Sequence, residues 1–372
     1  MEPQAILNEN KNSKILNLLS KIPYTKRHTQ RIDNNFPNNF RGQIYVKPES
    51  HSITVPTSGQ KYKFKIPEAG FLRNILIKTV LTCGNALDDN TQMEDRLGIF
   101  LYSEIELSQN GRTIFFNNPS YILNRIVDSE QDIQQNLLRL TQAVDWVGTT
   151  PVTVFTPLFS FIFDNEDNNI LLDWHKELEL IITVGDVNFT NNPVSWEPSL
   201  IVFRTSYETD FLTSYINDSF IEQETNFLTY DIRTLKKTCA IGDTSCTVEI
   251  KVPCLVSAIH LALINTDRSS SNITGCSLKV GSKVLIETEK LINVLNTDTL
   301  AGDNGMNEMS VYLGNKSRNG HSGSLDMSGQ YFDLTVTFDS LDQAAILYVN
   351  LEHLNILTSY RDNGRFSSKF VH

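Results

Sequence analysis

The stretch Ile105-Glu-Leu-Ser-Gln-Asn-Gly-Arg-Thr-Ile-Phe115 alternates apolar and polar residues on both sides of an Asn-Gly pair. Asn and Gly both accept the positive φ of a type I′ turn, whose twist matches that of paired strands, so the stretch predicts a β-hairpin. A similar run returns about 170 residues later as Ser277-Leu-Lys-Val-Gly-Ser-Lys-Val-Leu-Ile286, and each copy is followed by a helix-like segment. The recurrence decides how the chain is organised.

Outward from the first hairpin, strand signals dominate from Gln43 onward. QIYVKP, HSITVP, KYKFKIP, FLRNILIKTVLT and GIFLYSEIELS are short and rich in aromatic or β-branched residues, with Pro, Gly and Asn between them. Regularly spaced strands of this kind predict a β-sandwich or barrel. One helix interrupts them: Asn118-Pro119-Ser120 opens it with Pro in the first turn, and it runs through YILNRIVDSEQDIQQNLLRLTQ. Ile122, Ile126, Ile133, Leu137 and Leu140 give it one apolar face to lay on the sandwich. Strands resume at TPVTVFTPLFSFIF, WHKELELIITV and PSLIVFRTSYE.

After Asp210–Glu224 the series begins again. KFKIPEAGFLRNILIKTVL overlays VEIKVPCLVSAIHLALI, with Pro67 opposite Pro253, and the hairpins overlay next. VFTPLFSFIF and WHKELELIITV overlay MSVYLG and GQYFDLTVTF, and SLIVFRTSY overlays AILYVNLEHLNIL. Blocks in the same order imply an internal duplication, each half an antiparallel sandwich of about eight strands with a helix inserted after its hairpin. The closing strands, IVFRTSY and ILYVNLEHLNI, are long and apolar, so each must be paired inside a sheet or covered. The resulting division is 1–42 helix and arm, 43–209 first sandwich, 210–224 linker, 225–360 second sandwich and 361–372 basic tail.

A chain of 372 residues, 40% hydrophobic, exceeds the usual single-core size and can fill two cores. No apolar run approaches the roughly 18 residues that cross a bilayer. The start, MEPQAILNENKNSK, lacks the apolar centre of a signal peptide, so the protein is expected to be soluble when made. The five cysteines, Cys83, Cys239, Cys246, Cys254 and Cys276, form no C-x-x-C pair and read as buried reduced thiols. Charge is unevenly spread. Residues 1–31 carry +4 and residues 361–372 carry +2, so the total of −11 leaves −17 on residues 32–360. An acidic body argues against a nucleic-acid enzyme working through its main surface, while basic ends suit phosphates or anionic lipid. Ile6, Leu7, Ile15, Leu18, Leu19 and Ile22 share one side of a short basic helix over 5–22, fit for a membrane, a partner or its own domain.

The seven histidines carry no recognisable catalytic pattern. His175 lies beside Asp173 and Glu177 as strand neighbours on one face, which makes no nucleophile-base pair, and no Ser sits in a G-x-S-x-G turn. His175 reads as a strand-capping or interface residue, and His260, within VSAIHLALI, as a satisfied interior one. H-E-x-x-H and phosphate-loop patterns are absent. Asp164–Asn169 and Asp88, Asp89, Glu94 and Asp95 are oxygen-rich but lack the Gly-turned pattern of a Ca²⁺ loop. Asn188, Asn217, Asn272 and Asn315 begin sequons that an Asn-rich chain carries by chance. No catalytic residue, metal or cofactor is expected.

Three places carry a resemblance. IELSQNGRTIF looks like the hairpin, Thr156–Phe161 and then Leu171–Leu178 look like the Pro-Leu-aromatic strand and its aromatic-His turn, and Ser322–Ser328 with Ile346–Ile356 look like the Ser-Gly-Ser turn and closing strand, of one family. In these the chain resembles the double jelly-roll major capsid proteins of icosahedral DNA viruses, the lineage of polinton, virophage, nucleocytoplasmic large DNA virus and adenovirus hexon proteins. The resemblance spans about residues 43–360 and implies an all-β chain of two tandem eight-stranded jelly rolls packed side by side. It implies a non-enzymatic homotrimer whose pseudo-hexagonal capsomers tile a shell beside minor capsid or penton proteins. Loops then face outward, and Lys11, Lys14, Lys21, Lys26, Arg27, Arg31, Arg361, Arg365 and Lys369 face an inner membrane, minor proteins or genome. The compact second half, with short loops, argues against a tall outer tower. Two other readings stay open on sequence: a non-catalytic β-sandwich module binding a receptor or carbohydrate, with Trp146, Trp174 and Trp196 as candidate rings, and a transient assembly scaffold of the same fold.

Overall fold

The computed structural model describes residues 40–49, 56–83, 96–129, 131–143, 150–160, 163, 170–185, 193–206, 224–289, 307–313, 315–317, 320–322, 324–360 and 364–369. In the first half the order is β1 (Phe40–Val46), β2 (Lys61–Lys65), β3 (Phe71–Cys83), α1 (Leu97–Phe100), β4 (Tyr102–Gln109), β5 (Arg112–Asn117), α2 (Pro119–Val127), α3 (Gln131–Thr141), β6 (Val152–Pro157), β7 (Ile170–Leu171), β8 (Leu178–Val184) and β9 (Pro193–Ser206). In the second half come β10 (Glu224–Cys239), β11 (Ser245–Ile250), β12 (Leu255–Asn265), β13 (Ile273–Val280), β14 (Lys283–Glu289), β15 (Met309–Tyr312), β16 (Asn315–Ser317), β17 (Gly320–Ser322), β18 (Leu325–Asp326), β19 (Phe332–Phe338), β20 (Ala345–Tyr360) and β21 (Phe366–Lys369).

Each half is a pair of antiparallel sheets. The sheet β1-β9-β3-β6 belongs with β2-β8-β4-β5, and β10-β20-β12-β15 with β11-β19-β13-β14. Element for element the two orders are the same, and each is the eight-stranded jelly roll. Irregularities repeat with the topology. Bulges fall between Leu72 and Asn74 in β3 and between Val256 and Ala258 in β12, in each case where the strand pairs with the closing strand. The hairpins carry theirs at Leu107/Ser108 and Leu278/Lys279. A short extra strand pairs with the start of β3 in one half (β7) and of β12 in the other (β18). Bulges bend a strand and reset its register, so coincidence at three positions marks one design used twice.

Local chemistry accounts for these elements. Asn110 and Gly111 have φ of 51° and 76°, the two positive values a type I′ turn requires. Pro67 and Pro253 both fall in the short link from the second to the third strand of their halves, where no ladder donor is needed. The closing strands lie inside their sheets, β9 between β1 and β3, and β20 between β10 and β12, which removes the exposed apolar edge. Beyond β12, the far end of β20 takes β21 as its neighbour, so part of the basic tail is a strand.

Inward-facing residues alternate along the strands and fill two cores. The first gathers Phe64, Ile77, Leu180 and Trp196, and the second gathers Ile250, Leu261, Leu334 and Val349. Trp196 is fully buried in mid-strand and meets Tyr102 edge-on, with ring centroids 6.1 Å apart. Tyr102 shares a 2.7 Å hydrogen bond with Thr79 in the same interior. Cys239, Cys254 and Cys276 are buried and Cys246 half-buried, all four as free thiols. Burial pushes Cys239 up to about 12 and Cys254 and Cys276 up to about 11, which keeps them protonated and unreactive.

Four sequence expectations need correction. GIFLYSEIELS is not one strand: Leu97–Phe100 forms a single helical turn and β4 starts at Tyr102. A Cβ on Gly98 would lie 2.2 Å from the Phe155 carbonyl, so the turn packs directly on β6. The long helix is two, broken at Asp128–Ser129, where Ser129 Oγ donates to the Arg125 carbonyl. The break rotates α3, leaving Ile133 half exposed and turning Gln134, Leu137, Leu138 and Thr141 inward. His175 sits in the turn before β8 rather than on a strand, with Glu177 at φ 61°. In the second half Glu287–Glu289 of the expected helix belong to β14, and the rest of that segment lies outside the described residues. The helix over 5–22 and the acidic loops at 88–95 and 164–169 also lie outside them.

Removing the indole at the centre of the first core tests this packing. Trp196→Ala is expected to lower stability by ~3–5 kcal/mol, and Ile241→Ser, at an exposed loop position, to change it by less than about 0.5 kcal/mol. Urea unfolding of the two variants beside the parent checks both.

Candidate functional site

The concentration of buried polar groups lies along the seam where the first barrel meets the second, and it begins at a helix start. Asn118 caps α2: its Oδ1 accepts from the Tyr121 amide at 2.9 Å and from Ser120 Oγ at 2.6 Å. With its oxygen so engaged, its Nδ2 donates across the seam to Thr234 Oγ1 at 2.7 Å and toward Asn350 Oδ1 at 3.3 Å. Asn350 returns a bond from Nδ2 to Ser120 Oγ at 3.0 Å. One turn on, Asn124 donates to the Leu261 carbonyl at 2.8 Å.

Glu352 is the buried anion at the centre, with none of its surface exposed. Its Oε2 receives Tyr121 Oη at 3.2 Å, Arg125 Nη1 at 3.4 Å and His260 Nε2 at 3.4 Å, and its Oε1 receives Ser257 Oγ at 3.2 Å. Arg125 spans the rings of Tyr121, Phe159 and Tyr230 at 5.7–5.9 Å from their centroids. On its other side His260 Nδ1 lies 2.8 Å from Ser310 Oγ and 3.4 Å from Asp128, and Asp128 also accepts Tyr312 Oη at 2.8 Å. Burial works to lower His260, but hydrogen bonds and charge from Asp128 and Glu352 outweigh it and raise the group. Ser310, His260 and Glu352 have the composition of a hydrolytic triad without its competence. Both ring nitrogens face carboxylates that favour the protonated ring, which cannot then accept a serine proton, and Ser310 is 8% exposed.

The seam is pinned at both ends as well. Arg96, after β3, bonds Ser270 at 2.8 Å and Glu308 at 3.3 Å, beside the turn that follows β12. At the opposite end His175 Nδ1 meets the Gly364 carbonyl at 2.8 Å and its Nε2 meets Ser359 Oγ at 3.3 Å. Gln109 Nε2 donates to the same carbonyl at 2.9 Å. Gly364, at φ 60°, fits there because a Cβ would lie 2.0 Å from the Trp174 carbonyl. Burial lowers His175 to about 4 despite the bond to Gly364, so its ring is neutral. Arg96 opens α1, which packs through Gly98 on Phe155 opposite Lys78, so the second half of β3 lies beside the end of β12, and the start of β3 beside the end of β20. The barrels stand side by side in the same direction. Phe40, paired with Ser206, and β21 therefore lie at one end of the block.

No family model matches this chain and no curated protein sequence does either. Solved structures do. PBCV-1 VP54, as fitted into a reconstruction of the virophage Sputnik, aligns with TM-score 0.70 at 13% identity over 90% of this chain and 97% of that one. The faustovirus major capsid protein aligns with TM-score 0.63 at 9% identity over 86% and 90%, and the mavirus major capsid protein with 0.52 at 10% over 88% and 90%. The chain has the double jelly-roll fold of viral major capsid proteins.

Within this double jelly roll the inner-face cations expected from sequence separate. Lys11, Lys14, Lys21, Lys26, Arg27, Arg31 and Arg361 lie outside the described residues. Arg365 is exposed at the strand end that carries β21, and Lys369 closes β21 itself. Trp146 lies outside the described residues, Trp174 flanks the Gly364 contact, and Trp196 is core. Among the described residues no group of His, Cys, Asp and Glu is placed to hold a metal ion. Sequence reading placed His175 and His260 correctly as packed but missed Glu352, Asn350 and Arg125. A signal was present: Asn350 and Glu352 are two apart in the apolar run of β20, and so share the sheet face that meets α2.

Glu352→Ala leaves the part-buried Arg125 guanidinium and the buried His260 ring short of their acceptor and is expected to cost ~3–5 kcal/mol, read by urea unfolding. The two seam histidines respond oppositely to pH. His175, depressed in the fold, contributes stability present above its unfolded value and lost as pH falls through about 4. His260, raised, contributes stability present below its unfolded value and lost as pH rises through its folded one. Unfolding free energies across pH 4–7 are expected to lose on the order of 3 kcal/mol of their acid limb in His175→Asn.

Proposed function

We propose that this chain is a major capsid protein: a structural subunit that associates as a homotrimer, three copies bringing six upright barrels into a pseudo-hexagonal capsomer that tiles an icosahedral shell. The observation that carries the reading is the pairing of two barrels of one design, parallel and locked by a buried polar seam, over a length that VP54 matches on 97% of its own chain. A rigid block of two like units is what regular tiling needs, since each barrel then offers its neighbours nearly the same outline.

The end shared by Phe40 and β21 also directs the termini. Both basic segments, 1–31 and 361–372, join the block at that end, which supports its facing inward toward a membrane, minor proteins or genome. Lys11, Lys14, Lys21, Lys26, Arg27, Arg31, Arg361, Arg365 and Lys369 supply the cations, and minor capsid or penton proteins meet the capsomer rim. The virion shell is then its location, after synthesis in the host cytoplasm.

Purified full-length protein is expected to sediment as a trimer and to show threefold particles with a hexagonal outline in negative stain. A monomer at high concentration, with no ordered assemblies, overturns the reading.

A further inference from the structure

Four of the five cysteines fall in the second half of the chain, and two of them flank one loop. Cys239 ends β10 and Cys246 is the second residue of β11. These strands belong to facing sheets, each as an edge strand, with Cys239 paired to Ala345 and Cys246 to Val336. Between them Ala240–Asp243 makes a tight turn. The Asp243 amide donates to the Ala240 carbonyl at 3.2 Å, the Ala240 amide donates to Asp243 Oδ2 at 2.7 Å, and Gly242 takes φ 84°. Cα atoms of β10 and β11 come within 8 Å of each other, although the strands then part into different sheets. Cys246 shares its face of β11 with Val248 and Ile250, so its thiol lies against the core between the sheets, as does Cys239, which is 1% exposed. The two thiols are hydrogen-bonding neighbours there. Counted back from the aligned prolines, Gln60 stands in the first barrel where Cys246 does, so the repeat does not dictate a thiol at this position. The other two cysteines of this half are placed elsewhere. Cys276 and Cys246 pair with Val336 from opposite sides, two strand spacings or about 10 Å apart, beyond the span of a disulfide. Cys254 precedes β12, at the far end of the barrel from the pairing of Asn265 with Ala345.

We propose that Cys239 and Cys246 form a redox-closed staple, reduced while the chain folds and joined as a disulfide across the two sheets of the second barrel in an oxidising medium. The staple is a property of that barrel and does not depend on the assembly proposed above. Glutathione disulfide serves as the oxidant. The thiolate of the half-buried Cys246 attacks one of its sulfurs and releases a glutathione thiolate. Cys239 then loses its proton, and its sulfur attacks Cys246 Sγ, forming the bond between the strands and releasing the second glutathione. Two protein thiols are oxidised to one disulfide, and one glutathione disulfide is reduced to two glutathione thiols, which carry off both protons. Exposure sets this order. Cys239 is closed to reagents in solution but reacts with a neighbour already in contact, as an intramolecular step. Once formed, the bond shares the burial of Cys239 and is shielded from reductants. Edge strands are where facing sheets part, and a bond from β10 to β11 ties two such edges together.

Full-length protein purified in reductant and then held with glutathione disulfide at about pH 8 tests this, read by mass spectrometry after free thiols are alkylated. Cleavage before Asp243, without reduction, separates the two cysteines. A peptide pair joined through Cys239 and Cys246 is expected, with Cys254 and Cys276 alkylated. The thermal midpoint of the oxidised protein is expected to rise by about 5 °C over the reduced one. Cys246→Ser, at a half-buried position and checked for folding by circular dichroism, is expected to keep one midpoint with and without the oxidant. Glutathione retained on Cys246, a bridge to Cys276 or to another copy, or free thiols throughout overturns the proposal. An oxidised midpoint equal to the reduced one overturns the stapling role even where the bond forms. The mass readout uses the unmodified sequence, so a variant that fails to fold leaves it decisive.

Discussion

A carboxylate taken wholly out of water is tolerable only where cations and donors converge on it, and Glu352 imposes that condition on the rest of the fold. Its partners come from both barrels: Tyr121 and Arg125 from α2, His260 and Ser257 from β12. His260 and Ser257 reach it through the β12–β20 pairing, but Tyr121 and Arg125 reach it only when α2 lies on that sheet in one register. Asn118 links that register to helix formation itself, since its oxygen caps α2 while its amide reaches Thr234 and Asn350. Forming the helix and docking the barrels are therefore one event chemically.

The duplication shows how two halves of one design come to differ. Backbone features repeat down to bulge positions, because strand order and sheet closure depend on them. Side chains inside each barrel stay apolar in both copies for the same reason. On the outer face of the sheet that holds the closing strand, among the described residues, Tyr45, Ile201, Leu76 and Pro157 of the first barrel stand where the second has Thr234, Asn350, His260 and Ser310, and Phe203 stands where it has Glu352. The fold leaves that face free to vary, and the difference there distinguishes one barrel from the other.

Much of this was legible before any coordinates. The Asn110-Gly111 turn, the Asn118-Pro119 helix start and the ordered blocks are local signals, set by φ preference, capping and period-two alternation. They were enough for two sandwiches and for the repeat. What failed depends on distant groups. The helical turn at Leu97–Phe100 exists because Gly98 fits under the Phe155 carbonyl, and nothing within GIFLY announces it. The helix break at Asp128 follows a residue whose carboxylate binds Tyr312, which lies 184 positions away. Glu352 finds Arg125 across 227 residues and His260 across 92. Composition can show that a buried polar pair in β20 needs partners, but only topology says which.

Side-chain contacts at three heights leave the seam little freedom to hinge. Arg96 at one end, the α2 cluster in the middle and His175 with Gly364 at the other fix tilt as well as separation. A purely apolar seam would tolerate sliding, since dispersion and burial change slowly with small displacements. Hydrogen bonds to a buried carboxylate do not, because each lost donor leaves charge uncompensated in a low dielectric. For the shell subunit proposed above, tiling would multiply any error in the angle between barrels over every copy. A seam whose geometry is set by direction as well as area limits that error within each chain, before copies meet.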